Sequence, residues 1–325
     1  MSAAWRRAVP VVVLLAVIGV WFALEGQGVV SWTLAKVLRF EAGSLSLTAK
    51  AEFNLGFGFD PRDPACWVAA GNETARLLVA YDSQQHQLRF YSLEDPIGTQ
   101  VSAFGGAGMV PGQFMRPVGL AMDDEGNVWV ADEQVPILRK YTPHGELLEE
   151  SETVANIKGW QDVAILPDGR VVSTAAIWSD LSGPGLFVLG AERLPARLRA
   201  DCLGPVASDE DGNIYVLDHV FRSGRAPKQY LLGLDTEGRT RFERRFNDSW
   251  LRPDIVYWPS QELLLIVNSG SSIIEATSLD GQTAEVILNL EAEASPPMAV
   301  VPMGDELLVI FCDGKALVYE LEEGA

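Results

Sequence analysis

Six times along the chain a strongly apolar β run ends on a small or polar residue, and the interval between endings barely changes. LVAYD closes at Asp82, VWVAD at Asp132, VVSTA at Ala175, IYVLD at Asp218, LLIVN at Asn268 and VIFCD near Cys312. The spacings are 50, 43, 43, 50 and 44 residues. Self-similarity at this period marks a repeat architecture, in which each unit buries its apolar face only against the next.

The units share an internal order. A first strand runs into a turn, as in GLAMDDEG, VAILPDG, PVASDEDG, IVYWPSQ and AVVPMGD, and a second strand follows at once. After a loop comes a third strand, such as LRKYT, LFVLG, YLLGLD, IIEATS or ALVYE. Turns at PHG, TEG and LDG then lead to a fourth. Asp-Gly and Glu-Gly supply the positive φ that tight hairpins need. Four antiparallel strands in roughly 45 residues make one propeller blade, and a ring of blades removes long sheet edges. The fold predicted is therefore an all-β, six-bladed β-propeller with four-stranded blades. The last unit, Pro296 to Ala325, holds only three strands. LSLTAKAEF, Leu45 to Phe53, alternates Leu45, Leu47, Ala49, Ala51 and Phe53 and is predicted to close the sixth blade. Residues 45–325 are thus the propeller.

One unit carries a family resemblance. FGGAGMVPGQFMRPVGLAMDDEGNVWVADEQVPILRKYTPHGELL resembles an NHL repeat in its Gly-rich lead, its Arg-Pro before the inner strand, DxxGNVWVAD and the closing HG. GPVASDEDGNIYVLD is similar over the first half of the fourth unit. The other units share strand pattern and spacing, so the resemblance spans about 280 residues. It implies six blades and says little about function.

The amino terminus has a different composition. Arg6 and Arg7 precede an uncharged apolar run from Ala8 to Leu24. As a helix at about 1.5 Å per residue it reaches roughly 25 Å, the short end of a membrane span. The arginines favour a cytoplasmic tip, with the chain beyond Glu25 exported. A cleavable signal peptide wants small residues at −3 and −1, and cleavage after Ala23 would put Trp21 at −3. We therefore expect an uncleaved signal-anchor helix in residues 1–27. A juxtamembrane linker or short helix follows at 28–44, with Val30, Leu34, Val37 and Leu38 on one stripe. The propeller would then be periplasmic or extracellular.

Charge narrows the partners. The 44 Asp and Glu outnumber 25 Lys and Arg, a net charge of −19, which repels phosphate backbones and excludes nucleic acid as an expected partner. The column Asp82, Asp132, Asp218 and Asn268 invites calcium through oxygen ligands. At the ends of second strands, though, these side chains are expected to accept backbone hydrogen bonds in the following turns. VNSG at Asn268 and Asp209–Val216 are similar to the gluconolactonase-like propellers, a resemblance that implies a divalent ion in the channel and a metal-dependent hydrolase. The chain departs from that pattern at GPVAS, where Pro205 and Ala207 stand near an expected ligand Asp, and no amino-terminal segment supplies a ligand Glu. Cys66, Cys202 and Cys312 have no metal-motif spacing and are expected as apolar fillers. His86, His144 and His219 lie in separate units, and no GxSxG elbow occurs.

Loop lengths point instead to recognition. Between second and third strands, unit five uses only SGSS, whereas units three and four insert IWSDLSGPG and HVFRSGRAPK. Neighbouring blades would bring Trp178, Asp180, His219, Phe221, Arg222 and Arg225 to one rim, and aromatics beside arginine dominate binding hot spots. Trp160 and Trp250, which precede first strands, should start on the same face or else pack between blades. The function expected is a membrane-tethered scaffold that binds a protein or peptide on this loop-bearing face without a cofactor. The hydrolase is the alternative, and calcium belongs to it alone.

Overall fold

The structure, a computed structural model, describes residues 45–59, 68–152, 157–177, 184–191, 193–218, 229–246 and 253–322. Among them, twenty-four strands form six antiparallel sheets of four. Strand β1 is Leu47–Asn54. The first blade holds β2 (Ala69–Asn72), β3 (Leu77–Asp82), β4 (Gln87–Ser92) and β5 (Gln100–Gly105); the second holds β6 (Pro117–Met122), β7 (Val128–Asp132), β8 (Arg139–Tyr141) and β9 (Leu147–Glu150). The third has β10 (Ile157–Ile165), β11 (Val171–Ile177), β12 (Gly185–Leu189) and β13 (Pro195–Ala200). The fourth has β14 (Val206–Ser208), β15 (Ile214–Asp218), β16 (Tyr230–Leu234) and β17 (Thr240–Arg245). The fifth has β18 (Pro253–Trp258), β19 (Leu263–Asn268), β20 (Ile273–Ser278) and β21 (Ala284–Asn289). The sixth has β22 (Pro297–Met303), β23 (Glu306–Phe311) and β24 (Lys315–Leu321), and β1 is its outer strand.

Each first strand touches the first strands on either side, and the ring closes between β22 and β2. Second strands are buried on both faces, as in VWVAD of β7 and IYVLD of β15. Outer strands alternate toward solvent, as in β5 and β17. Apolar layers fill the space between blades: Val79, Tyr81, Phe90 and Phe114 of the first meet Leu120, Val128, Val130 and Tyr141 of the second. The same alternation thus packs blade on blade and makes each unit depend on its neighbours.

The recurrent acids close the turns. Asp132 is buried and accepts from the N–H of Met115 (2.8 Å), Arg116 (3.0 Å) and Gln134 (2.9 Å). It thereby ties the strand end to both the next turn and the incoming connection. Asp82 accepts from the Gln84 and Gln85 N–H groups and pairs with Arg89; Asp218 accepts from Leu203 N–H, and Asn268 from Gly270 N–H. The DEGN turn works alike: Asp123 Oδ1 accepts from Glu125 and Asn127 N–H while Gly126 takes φ +82°.

Closure joins the two ends of the ring. β1 pairs antiparallel with β24 from Leu47↔Leu321 to Asn54↔Lys315, with a bulge between Ala49 and Ala51. Leu45, Leu47 and Phe53 are half-buried; the fully buried side chains lie just beyond, at Leu55 and Phe59. Cys202 and Cys312 are buried free thiols, each pushed up to about 12 first by burial. Cys66 lies outside the described residues. So do the expected anchor and linker at 1–44, and among the described residues no helix is long and apolar enough to cross a membrane.

Candidate functional site

First strands pair on one edge only, so their other edges surround a central channel. The cavity there has a volume of ≈ 1440 Å³. Val118, Val163, Val206 and Val300 give it apolar walls, and small residues such as Gly119, Gly204 and Ala207 keep it open. Two carboxyl groups stand among these walls: Asp162 from β10 and Asp254 from β18, either side of the fourth blade.

Local irregularity positions the first of them. β10 shifts register against β11 between Ile157 and Gly159 and again between Trp160 and Asp162. A bulge re-aims the side chains around it, and here it delivers Gln161 and Asp162 to the cavity lining. Asp162 Oδ2 accepts from the free inner-edge N–H of Val206 at 2.8 Å, linking the third and fourth blades. Room for this comes from the second blade. A Cβ added at Gly119 would stand 2.5 Å from Asp162 Oδ1 and 2.6 Å from its Cα. Asp254 Oδ1 accepts from Ile255 N–H at 2.8 Å, and its other oxygen has no hydrogen-bond partner among the described residues.

The electrostatics of the pair follow from this setting. Burial disfavours the charged form of both carboxyls. It raises Asp254 to about 7. Asp162 goes well above the usual carboxylate range, first through burial and then through the charge of Asp254. Interacting carboxyls of this kind titrate as a pair. Both carboxyls therefore hold a proton to higher pH than a solvated carboxyl does, and a protonated carboxyl can both donate and accept a hydrogen bond.

Each mouth of the channel is charged. Near the start of the first strands, Arg116 is paired with Glu133. Toward their ends, Lys140 is held by Asp123 at 2.8 Å. Tyr257 there is pushed up to about 12, first by burial and then by the negative field of Glu210, Asp209, Glu262 and Asp211.

The residues expected to form the recognition rim, Trp178, Asp180, His219, Phe221, Arg222 and Arg225, lie outside the described residues, as does Trp250. Trp160 is fully buried and packs edge-on against Phe187 at 6.1 Å, so it belongs to the core between the second and third blades rather than to a face. Asp162 and Asp254 were missed by the sequence reasoning. Their signal is an acid inside an otherwise apolar first strand, in WQDVAI and PDIVYW, where β6 and β14 read PVGLAM and VAS.

No family model matches the chain, and no curated protein matches it. Solved structures do. The PQQ-bound aldose sugar dehydrogenase of Streptomyces coelicolor superimposes with a TM-score of 0.60 at 13% identity, over 86% of this chain and 99% of that one. A structural-genomics target assigned as a gluconolactonase gives 0.57 at 16%, over 88% and 96%. A chain from a nidogen/laminin complex gives 0.54 at 18%, over 72% and 84%. Identities this low establish the fold and nothing finer: the chain is a six-bladed β-propeller with four-stranded blades.

Proposed function

We propose that this protein is a ligand-binding propeller that takes a small molecule into its channel at the level of Asp162 and Asp254. The observation that carries the reading is the carboxyl pair itself. Ionisable groups are costly beside apolar walls, and titratable groups strongly shifted within a concave pocket mark functional sites. The similar structures do not choose for it, since they include proteins named as enzymes and one named as part of a two-protein complex.

A resident calcium ion, which the hydrolase alternative needs, fits the described channel poorly. Calcium takes six to eight oxygen ligands. Here two carboxyls line the cavity wall, and one oxygen of Asp162 is already spent on Val206 N–H. Among the described residues no group of three or more His, Cys, Asp and Glu is placed to hold a metal. We derive no metal-dependent step.

Binding in the channel is tested by ligand-observed NMR on the purified full chain, using a small-molecule library with neutral, anionic and cationic members. Val118 lines the cavity and is half-buried. Val118→Trp should plug the channel and abolish binding of the hits while leaving the melting temperature within a few degrees. Hits that survive the plug, or an absence of hits in every class, would overturn the proposal.

Residues 8–24 are proposed to tether this propeller to a membrane, with residues 45–325 outside the cytoplasm and the long loops of the third and fourth units free to meet a protein or peptide. The support is the uncharged run behind Arg6 and Arg7. Protease added to spheroplasts should digest the propeller. Full protection of residues 45–325 under conditions that cleave a known external marker would sink this topology.

A further inference from the structure

We propose that the ligand of the channel is a small organic cation, an amine or guanidinium compound whose charge sits at Asp162 and Asp254 and whose carbon skeleton packs on the valine wall. The assignment rests on the channel-binding reading above and adds the chemistry of the ligand.

Charge decides the class. Among the described residues, nine acidic side chains line the cavity and its mouths, against two basic ones, Arg116 and Lys140. Both cations already face an acid, Glu133 and Asp123 respectively, so neither offers an uncompensated charge to an anion. Acidic residues around a low-dielectric cleft focus a negative potential into it and concentrate cations there. Carboxylates and phosphates would meet that field with nothing to offset their desolvation.

Placement decides the kind of cation. A bare metal ion needs a shell of six to eight oxygens, and among the described residues no group of three or more His, Cys, Asp and Glu is placed to supply one. An alkylammonium or guanidinium needs only a few acceptors for its N–H groups and gains from apolar contact along its stem. Asp254 has one oxygen with no partner among the described residues. Asp162 is held in place by Val206 N–H and by its fit against Gly119. Gln161, beside it in the lining, adds a neutral acceptor.

Proton linkage supplies the signature. A bound cation favours the ionised form of both carboxyls, so binding should expel a proton held by the pair. Among the described residues no other charged side chain bonds to either carboxyl: Asp162 meets the backbone of Val206 and the face of Gly119, and Asp254 meets Ile255 N–H. The other charged groups that line the cavity among the described residues are the Arg116–Glu133 and Lys140–Asp123 pairs and the acids Glu73, Asp124, Glu125, Asp209 and Glu210.

The experiment is titration calorimetry of the purified full chain with putrescine, agmatine and choline, and separately with calcium chloride. Each is measured at pH 7 in two buffers of different ionisation enthalpy. At least one organic cation is expected to bind, with a buffer-dependent heat that reports proton release. Its affinity should fall at least tenfold in Asp254→Asn and at least tenfold between pH 7 and pH 5.5. Binding of calcium alone, or cation binding with no proton release, would overturn the assignment. If Asp254→Asn fails to fold, the proton release of the unaltered protein decides. Neutral or anionic hits in the NMR screen, with no cation among them, would refute this inference and leave the channel site standing. An empty screen would remove the site itself.

Discussion

Deleting residues 1–54 is expected to lower the melting temperature of the propeller by about 10 °C and to make it aggregate, whereas deleting residues 1–44 should leave one cooperative transition near the starting temperature. The difference is β1. Its pairing with β24 runs from Leu47↔Leu321 to Asn54↔Lys315, and its loss strips the outer strand from the sixth blade. Leu47 and Phe53 are half-buried, so each contributes about half of the roughly 1.5–3 kcal/mol that full burial gives. The new chain end would also begin at Leu55, which is buried between the sixth and first blades and whose carbonyl accepts from Tyr91 Oη at 2.6 Å. A combined cost of about 5 kcal/mol is a large fraction of the roughly 5–15 kcal/mol that holds a domain folded. At about 2 °C per kcal/mol for a chain of this size, the shift is easily measured by scanning calorimetry. Equal melting temperatures for the two truncations would show that the ring does not need the strand.

The second large effect concerns pH. Asp254→Asn is expected to raise the melting temperature by about 4 °C at pH 8 and to leave it nearly unchanged at pH 4. The folded protein raises this carboxyl from its ordinary 3.8 to about 7 through burial. The folded state therefore binds the proton more tightly than the unfolded state does. The stability associated with that proton is fully present below about pH 3.8 and is lost as pH rises toward 7. Asparagine resembles the protonated acid and escapes the loss. A shift of this size corresponds at most to about 4 kcal/mol at roughly 1.4 kcal/mol per pH unit. Because the side chain borders the channel, solvent screening should reduce this to about 2 kcal/mol. A variant that melts lower than the unaltered protein at pH 8 would mean that the carboxylate supports the ring instead of straining it.

The six-bladed ring can be read from the chain because its constraints are local. Asp132 reports a strand end through bonds to Met115, Arg116 and Gln134, all within twenty residues of it. Gly126 and Gly212 mark hairpins through positive φ in the DEGN and DEDGN turns. The channel pair is different. Asp162 and Asp254 belong to strands two blades apart, and only the curvature of the ring brings them to one cavity. The bulge that turns Asp162 inward depends on the pairing of β10 with β11, which alternation alone does not show. Trp160 illustrates the same limit from the other side. Its position before the apolar run VAI left a face and a place between blades both open, and the structure sets it between blades, in the core against Phe187.

The closing strand also sets a clock for biosynthesis. β1 leaves the ribosome before any blade exists, yet its partner β24 is made more than 250 residues later. At roughly 5–20 residues per second, β1 waits on the order of tens of seconds with both edges open. A strand in that position invites pairing with another nascent chain, and charges and bulges are the usual deterrents. β1 carries both: Lys50 sits at its bulge between Ala49 and Ala51, and Glu52 follows. In the finished ring Lys50 meets Glu306 at 2.5 Å and Glu320 at 3.6 Å, residues from β23 and β24. The side chain that discourages the wrong partner during synthesis thus makes ion pairs with the right one, and these form only when the last strands of the chain have arrived.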